Sequence, residues 1–542
     1  MVEQSVLKRR DFLKGSLLLF GFAGCSKGGR RRLSGDFRGG PDHHSGHLLR
    51  RRGPEVEPRS TRSIDIAVLG CGISGLSAAW QLHRSGCRGV ELFELQKQAG
   101  GNSRSASYSA SQAPWAAHYL PVPTRESRAV RELLKEMGLM SEDQDGKASY
   151  NERHLCHPLQ ERLWYRGRWY ESLLPLEDLS APEMEQWSDF KIDVERWQNW
   201  RDKEGRKAFA IPLAESSADP EVRSLDSISF ADYAEQKGWT APFVRWLLEY
   251  STRDDYGASP EQVSAWAGLH YFACRDGGDF RDDDAIFVWP EGNGHLADYL
   301  RNSLPYPIHT RQLITAVRPG SPVEIDVLDL DQREHLRIEA RRCLYCLPSF
   351  QRSYHFADEP AFGGHYAPWV TANLVLSRAP KERSIYSEPA WDNVVYGSES
   401  LGYVVASHQT KAMSNQGENV WTWYRAFPNR DPAEVRKELL ESRWEFWRDQ
   451  ILSDLETVHP DIAEVTSRID VALFGHGMIT PTVGFIWGEE SARARRPKQN
   501  LWFAHSDLSG ISVFEEAQYR GVLAAQQLMA DAGRSFQNLT DA

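Results

Sequence analysis

The chain has 542 residues, 41% hydrophobic and 26% charged, which is enough for a large core, more than one domain and an ordinary globular composition. Its net charge of −11 is unevenly placed: residues 1–62 hold fourteen Lys and Arg against six Asp and Glu, leaving 50 basic and 69 acidic groups elsewhere, a balance of −19. That acidic body argues against nucleic acid as a partner and suits a small cationic or neutral ligand.

At the start, Arg9-Arg10 and Asp11-Phe12-Leu13-Lys14 precede a short apolar run from Leu17 to Ala23. This is the twin-arginine export pattern, and the run is too short to span a bilayer comfortably. Residues 1–26 are therefore expected to be a signal, with the mature protein in the periplasm. Cys25 after Ala23-Gly24 resembles a lipoprotein cleavage site, so soluble release and membrane anchoring through a lipidated Cys25 both stay open. Residues 27–62, rich in Gly, Arg, His and Ser without apolar period, are expected to be a flexible linker. Its basic runs, Arg30-Arg31-Arg32 and Arg50-Arg51-Arg52, could touch anionic lipid head groups, although a solvated linker is the plainer reading.

Next, Ile64 to Leu69 reads as a compact strand, Gly70-Cys71-Gly72-Ile73-Ser74-Gly75 as a turn, and Leu76 to Ser85 as a helix. Gly70 permits the tight turn, Gly72 lets backbone approach a pyrophosphate, and Gly75 lets helix and strand pack closely. Ile73 and Ser74 fall at the helix start, whose N–H groups face negative charge. The following strand, "GVELFEL", ends near Glu94, which can accept hydrogen bonds from ribose hydroxyls. NAD and FAD both satisfy this pattern. Gly100-Gly101 then opens a second loop in "LQKQAGGNSRS".

That loop resembles the second glycine motif of the FAD-dependent amine oxidase superfamily, which includes monoamine and polyamine oxidases, protoporphyrinogen oxidase and phytoene desaturases. The resemblance implies FAD, with Gly100, Gly101, Asn102 and Arg104 near its phosphates and ribityl chain; Arg104 falls later than the family's usual arginine, where this chain has Asn102. "IHTRQLITAVRP" resembles the strand whose valine backbone, here Val317, receives adenine. "SDLSGISVFEEAQ" resembles the closing motif, which implies Asp507 near the ribityl or pyrophosphate and Gly510, Ile511 and Ser512 beside the flavin ring. The implied fold is α/β: a Rossmann-like FAD-binding domain assembled from 63–120, 286–350 and 471–535, with an α+β substrate domain from 121–285 and 351–470.

Within those insertions and loops, His118, Asp254, Asp255, Tyr256 and Trp487 are the candidate catalytic residues, with His476 and Tyr403 weaker and Trp289 a further candidate wall. His118 lies where the family brings its chain to the flavin, but a structural histidine bonded to backbone is an equal alternative. Paired carboxylates at Asp254 and Asp255 could attract a substrate ammonium; helix capping or pairing with Arg253 is the plainer alternative. Cys343 and Cys346 form a C-x-x-C on a strand, which alternation would send to opposite faces, so no metal is expected. Asn373-Leu374 stands where many of the superfamily carry Asn-Lys, so a dehydrogenase using a quinone or redox protein is as credible as an oxidase using O2. The expected reaction is oxidation of a small-molecule amine. The alternatives are a desaturase or oxidase of a C–C or C–N bond in a larger apolar substrate, and a flavoprotein without turnover.

Overall fold

The computed structural model describes residues 33–50, 57–275, 285–384, 389–410 and 417–540. The twin-arginine motif, Cys25, the Arg30–Arg32 run and Arg51-Arg52 lie outside them. Among the described residues no helix is long and apolar enough to cross a membrane.

The chain begins with β1 (Ser34–Phe37) and the short helix α1 (His43–Gly46), followed by β2 (Ser60–Leu69), α2 (Ile73–Arg84) and β3 (Val90–Phe93). β2 ends in the apolar run Ile66 to Leu69, buried on both faces, as a central parallel strand must be. It lies between β3 and the strand Glu334–Tyr345, parallel to both. Glu334–Tyr345 is long enough to take Val323–Asp329 antiparallel along its first half and Leu501–Phe503 parallel along its last three residues. Segments far apart in sequence thus build one seven-stranded sheet.

Glycine contacts let α2 close onto the turn after β2 and a second helix close onto α2. A Cβ on Gly75 would lie 1.9 Å from the Gly70 carbonyl oxygen, and one on Gly521, in the helix Phe514–Asp531, would lie 2.1 Å from the Ser74 oxygen. Any side chain at either position would force the elements apart.

The second layer is an eight-stranded sheet in which Thr466–Thr480 and His365–Leu376 form the longest antiparallel pair. Thr466–Thr480 crosses the expected boundary at 470 and ends beside the first lobe. The helices Ala181–Asn199, Pro242–Tyr256 and Ala265–Ala273 pack with Phe209, Phe230 and Trp266 in a separate aromatic core. Pro242 opens its helix at a position where no N–H is needed, and Gly257, at φ 66°, ends it.

The described part of the expected linker is ordered instead. β1 adds to the edge of the eight-stranded sheet, parallel to Thr466–Thr480 from Ser34 opposite Arg468 to Phe37 opposite Val471. Low apolar content did not prevent this, because backbone hydrogen bonds to an open strand edge need no apolar period.

Gly521→Val is expected to destabilise the protein by about 3 kcal/mol through overpacking against α2. The check is a lowered thermal unfolding midpoint by circular dichroism.

Candidate active site

A cavity of about 770 Å³ runs along the ends of the parallel strands, at the upper part of the range of about 300–1,000 Å³ usual for cofactor sites. Gly70 to Ser74 line it from the first glycine turn, Glu94 to Gln96 from the end of β3, and Gly101 to Arg104 from the second loop. The Gly100 N–H donates to the Cys71 carbonyl at 2.7 Å, holding the two glycine loops together. A Cβ on Gly72 would meet nothing nearer than the Gly101 Cα at 3.9 Å, so the turn is open toward the cavity.

Glu94 accepts from the Cys71 N–H through one carboxylate oxygen and from the Gln96 N–H through the other, both at 2.8 Å. Burial raises its pKa, against these two hydrogen bonds and the charge of Arg104. Asp507 accepts from the Ser349 N–H at 2.8 Å and from the Tyr366 hydroxyl at 2.6 Å. Burial acts to raise its pKa, but His505 and these donors bring it below the usual value, so it is ionised. Ser512, Val513 and Phe514 bring a second helix start to the same space. The residues fit a dinucleotide: two helix N-termini supply positive ends, Glu94 and Asp507 supply acceptors, and the buried amide oxygen of Asn293, also on the wall, has no partner.

Some expected positions differ. Val317 is buried in the sheet opposite Ile325; it is the start of the same strand, Gln312 to Ile314, that reaches the cavity. Gly510 packs on Phe485 and Ile511 is fully buried in the aromatic core, so of that trio only Ser512 faces the space. Gly75 acts through packing and Gly100 through its loop bond. Asn102 lines the cavity while donating to the Gly477 carbonyl. Arg104 also lines it, but its guanidinium donates to the carbonyls of Gly101, Gly39 and Gly40.

A second set of polar groups abuts the cavity. Ala117 is on the cavity wall, and two residues on, Tyr119 lies within electrostatic reach of Asp254, Asp255, Asp392 and Arg275. Tyr271 feels Asp254, Asp255, Glu161 and Tyr119, and Tyr424 donates to Asp392 at 3.1 Å. Burial pushes Asp255 up to about 6 and Asp392 up to about 7. Asp254 is raised further by burial together with Asp255 and Asp392. Asp254, Asp255, Asp392, Tyr119 and Tyr271 nevertheless keep some accessible surface, and their mutual electrostatic contacts group them in one partly buried acidic chamber. Arg275 faces Asp255 but is bound to Glu515 at 2.8 Å.

Of the plainer readings of the Asp pair, helix capping does not hold, whereas Arg253 does act electrostatically on Asp254. The two residues occupy the last turn of Pro242–Tyr256, the end where the helix dipole disfavours negative charge, and Arg253 donates to the Ser398 carbonyl. Tyr256 is a core residue whose hydroxyl donates to the Ala267 carbonyl. Trp487 lies edge-on to Trp266 with Arg223 over its ring, in the aromatic core. His118 packs against Tyr424 at 5.2 Å; burial lowers its pKa to about 4, and its Nδ1 has no partner, so it is not a histidine bonded to backbone through that atom. His476 lines the cavity, stacked on Phe350, whereas Tyr403 is locked between Arg162 and His459 in the core. Trp289 donates to His154. The Asn373 amide is held by Pro114 and Thr422, and Leu374 is buried. Cys343 and Cys346 fall in different hydrophobic clusters, and no metal-binding group occurs among the described residues. Sequence reading missed Asp392 and Tyr424, which sit on strands that only folding brings near the Asp pair; the stretches "APWAAHYLP" and "AWAGLHYFA" do read as slot-lining candidates, although Tyr119 and Tyr271 in them are not singled out by any local signal.

Residues 68–137 match the NAD(P)-binding Rossmann-like domain family. In solved structures, a double mutant of putrescine oxidase has a TM-score of 0.63 at 15% identity, covering 87% of this chain and all of that one. Cyclohexylamine oxidase from Brevibacterium oxydans has a TM-score of 0.61 at 14% identity, covering 87% and 100%. The chain shares its fold with these two amine oxidases. The amine oxidase fold also hosts other chemistry, since a fatty acid isomerase from P. acnes has a TM-score of 0.61 at 14% identity over 86% of this chain and 98% of its own. In sequence, a Mycobacterium tuberculosis protein assigned by name as flavin-containing monoamine oxidase AofH is 26% identical over 219 residues, which is 40% of this chain and 42% of that protein.

Asp507→Ala removes the acceptor that orders Ser349 and Tyr366 and faces the cavity. Purified variant is expected to carry less than about half the bound dinucleotide of the parent, one such charged hydrogen bond being worth about 1.5–3 kcal/mol; absorbance of the released cofactor measures this.

Proposed function

We propose that the protein is an exported FAD-dependent oxidoreductase that oxidises a cationic amine. The acidic, tyrosine-lined chamber against the dinucleotide cavity carries this reading. FAD, when bound, supplies a hydride acceptor, and Gly72, Gly101, Glu94, Asp507 and the helix start at Ser512 would hold it. The chain's own residues bind the amine and control its proton. Ionised Asp255 and Asp392 attract the ammonium, and because their pKa values lie near 6 and 7, either can take up a proton near neutrality. Tyr119, Tyr271 and Tyr424, each within electrostatic reach of Asp254, would add aromatic surface beside the cation. Neutral His118 adds no competing charge.

The same carboxylates disfavour the fatty-acid chemistry seen on a neighbouring fold, since a substrate carboxylate would be repelled. No lysine lines the cavity among the described residues, and Asn373-Leu374 is tied into the core, which supports including a quinone or redox protein, besides O2, among the electron acceptors. Arg9-Arg10 supports twin-arginine export to the periplasm, with anchoring through Cys25 as an extension of it.

Anaerobic mixing with an amine panel is expected to bleach the flavin with at least one amine, and bleaching by none overturns the amine reading. Amine affinity is expected to rise with pH through about 6 to 7, by roughly tenfold per pH unit for each carboxyl that must ionise, because the empty chamber holds these carboxyls protonated below their raised pKa values. Asp392→Asn is expected to flatten the upper part of that profile and raise KM by about tenfold. Replacing Arg9 and Arg10 by Lys is expected to leave the protein in the cytoplasmic fraction; unchanged fractionation counts against export by this route.

A further inference from the structure

The segment 34–50 has no part in the two lobes' cores, yet it forms a wall of the dinucleotide cavity. Pro41, Asp42, His43, His47, Leu49 and Arg50 line the same space as the glycine turn and Glu94. Its course is set at several points. β1 pairs with Thr466–Thr480, and the Arg38 N–H continues that pairing to the Val471 carbonyl at 2.8 Å. Gly39, at φ +79°, lies flat on Trp115, where a Cβ would come within 1.9 Å of the ring; a Cβ on Gly40 would lie 2.8 Å from the Leu473 oxygen. Arg104 then clamps the carbonyls of Gly39 and Gly40 while holding Gly101, so one guanidinium joins the segment to the second glycine loop. At the Glu94 end, Asp42 pairs with Arg311 at 2.8 Å. At the other end, Arg50 and His47 approach His476 and Arg436 across the cavity.

We propose that residues 34–50 are a strap that completes the dinucleotide site, closing over the cofactor once it has entered and setting how long it stays. This rests on the dinucleotide reading of the cavity. The strap crosses from the Glu94 end to the His476 end, so a dinucleotide beneath it is enclosed along its length. It is joined to the fold by a four-residue edge strand, one clamp and two ion pairs, Asp42 with Arg311 and Arg38 with Asp470, and such an attachment opens locally at lower cost than the parallel sheet. Arg50 gives the strap's cavity face a fixed positive charge, and His43 and His47, whose pKa values burial and neighbouring cations lower, add neutral imidazole donors; together they suit the pyrophosphate of a dinucleotide. Closing over an anion and opening without one is the expected behaviour of such a face.

The test measures cofactor release from purified holoprotein, followed by fluorescence after dilution, with the released dinucleotide identified by mass. Gly39→Val prevents docking on Trp115 without entering the cavity, and release is expected about tenfold faster than from the parent. Asp42→Asn weakens the ion pair with Arg311 and is expected to speed release severalfold. Leu48→Ala, at an exposed position that does not line the cavity, should not change it. Limited proteolysis reports whether the strap is docked. Release within about twofold of the parent from a Gly39→Val protein that is cleaved within 33–50 overturns the strap. Should Gly39→Val fail to accumulate, Asp42→Asn decides by the same comparison, with parent-like release counting against the proposal. If the released molecule is NAD, the FAD reading fails while the ratio of release rates still judges the strap. Protein holding no dinucleotide overturns both.

Discussion

The structure depends on how closely backbone can approach backbone at the end of β2. Gly70, Gly75 and Gly521 let a turn, α2 and the helix Phe514–Asp531 meet with no side chain between them, and the Gly100 N–H brings a second loop to the Cys71 carbonyl. Two helix starts therefore converge on one cavity, and their partial positive charge is fixed before any ligand arrives. The sheet around them is assembled from segments that begin at 60, 90, 308, 334 and 501, so the cavity exists only once distant parts of the chain have paired.

Against that rigid element stands a region that works against its own stability. Three partly buried aspartates share one chamber, two of them at the disfavoured end of a helix, and the one nearby arginine at Asp255, Arg275, is already bound to Glu515. Burying carboxyls without matching cations is costly, and their raised pKa values are the sign of it. A cationic guest removes that cost, so the strain and the proposed substrate charge point the same way. Aromatic residues surround the carboxyls, whose charge Arg253 and Arg275 offset only in part.

How much could be read without coordinates depended on the range of the interaction. The strand–turn–helix around Gly70 to Gly75 and the acidic end at Glu94 are local, and the structure places them together on one cavity wall. Val317 was misplaced because alternation along a strand does not say which end meets a ligand; pairing with Val323–Asp329 buries Val317 and leaves Gln312 to Ile314 at the cavity. Ile511 was expected beside the flavin ring and Trp487 among the catalytic candidates, but their large apolar surfaces place them in or against the aromatic core instead. Asp254-Asp255 was visible as a charged pair, whereas Asp392, more than a hundred residues away, had no local signature.

The sequence by itself determined the dinucleotide turn, the order of α and β segments around it and the acidic character of the body, because glycine geometry, apolar period and charge are carried by neighbouring residues. Tertiary structure alone decided that Asp392 and the tyrosines join Asp254 and Asp255 in one chamber, and that residues 34–50 lie across the cofactor cavity rather than trailing as a linker. The physical reason is the same in both cases. An open strand edge, an arginine clamp or a shared buried field acts on whatever the fold brings within reach, and that reach is not written in local pattern.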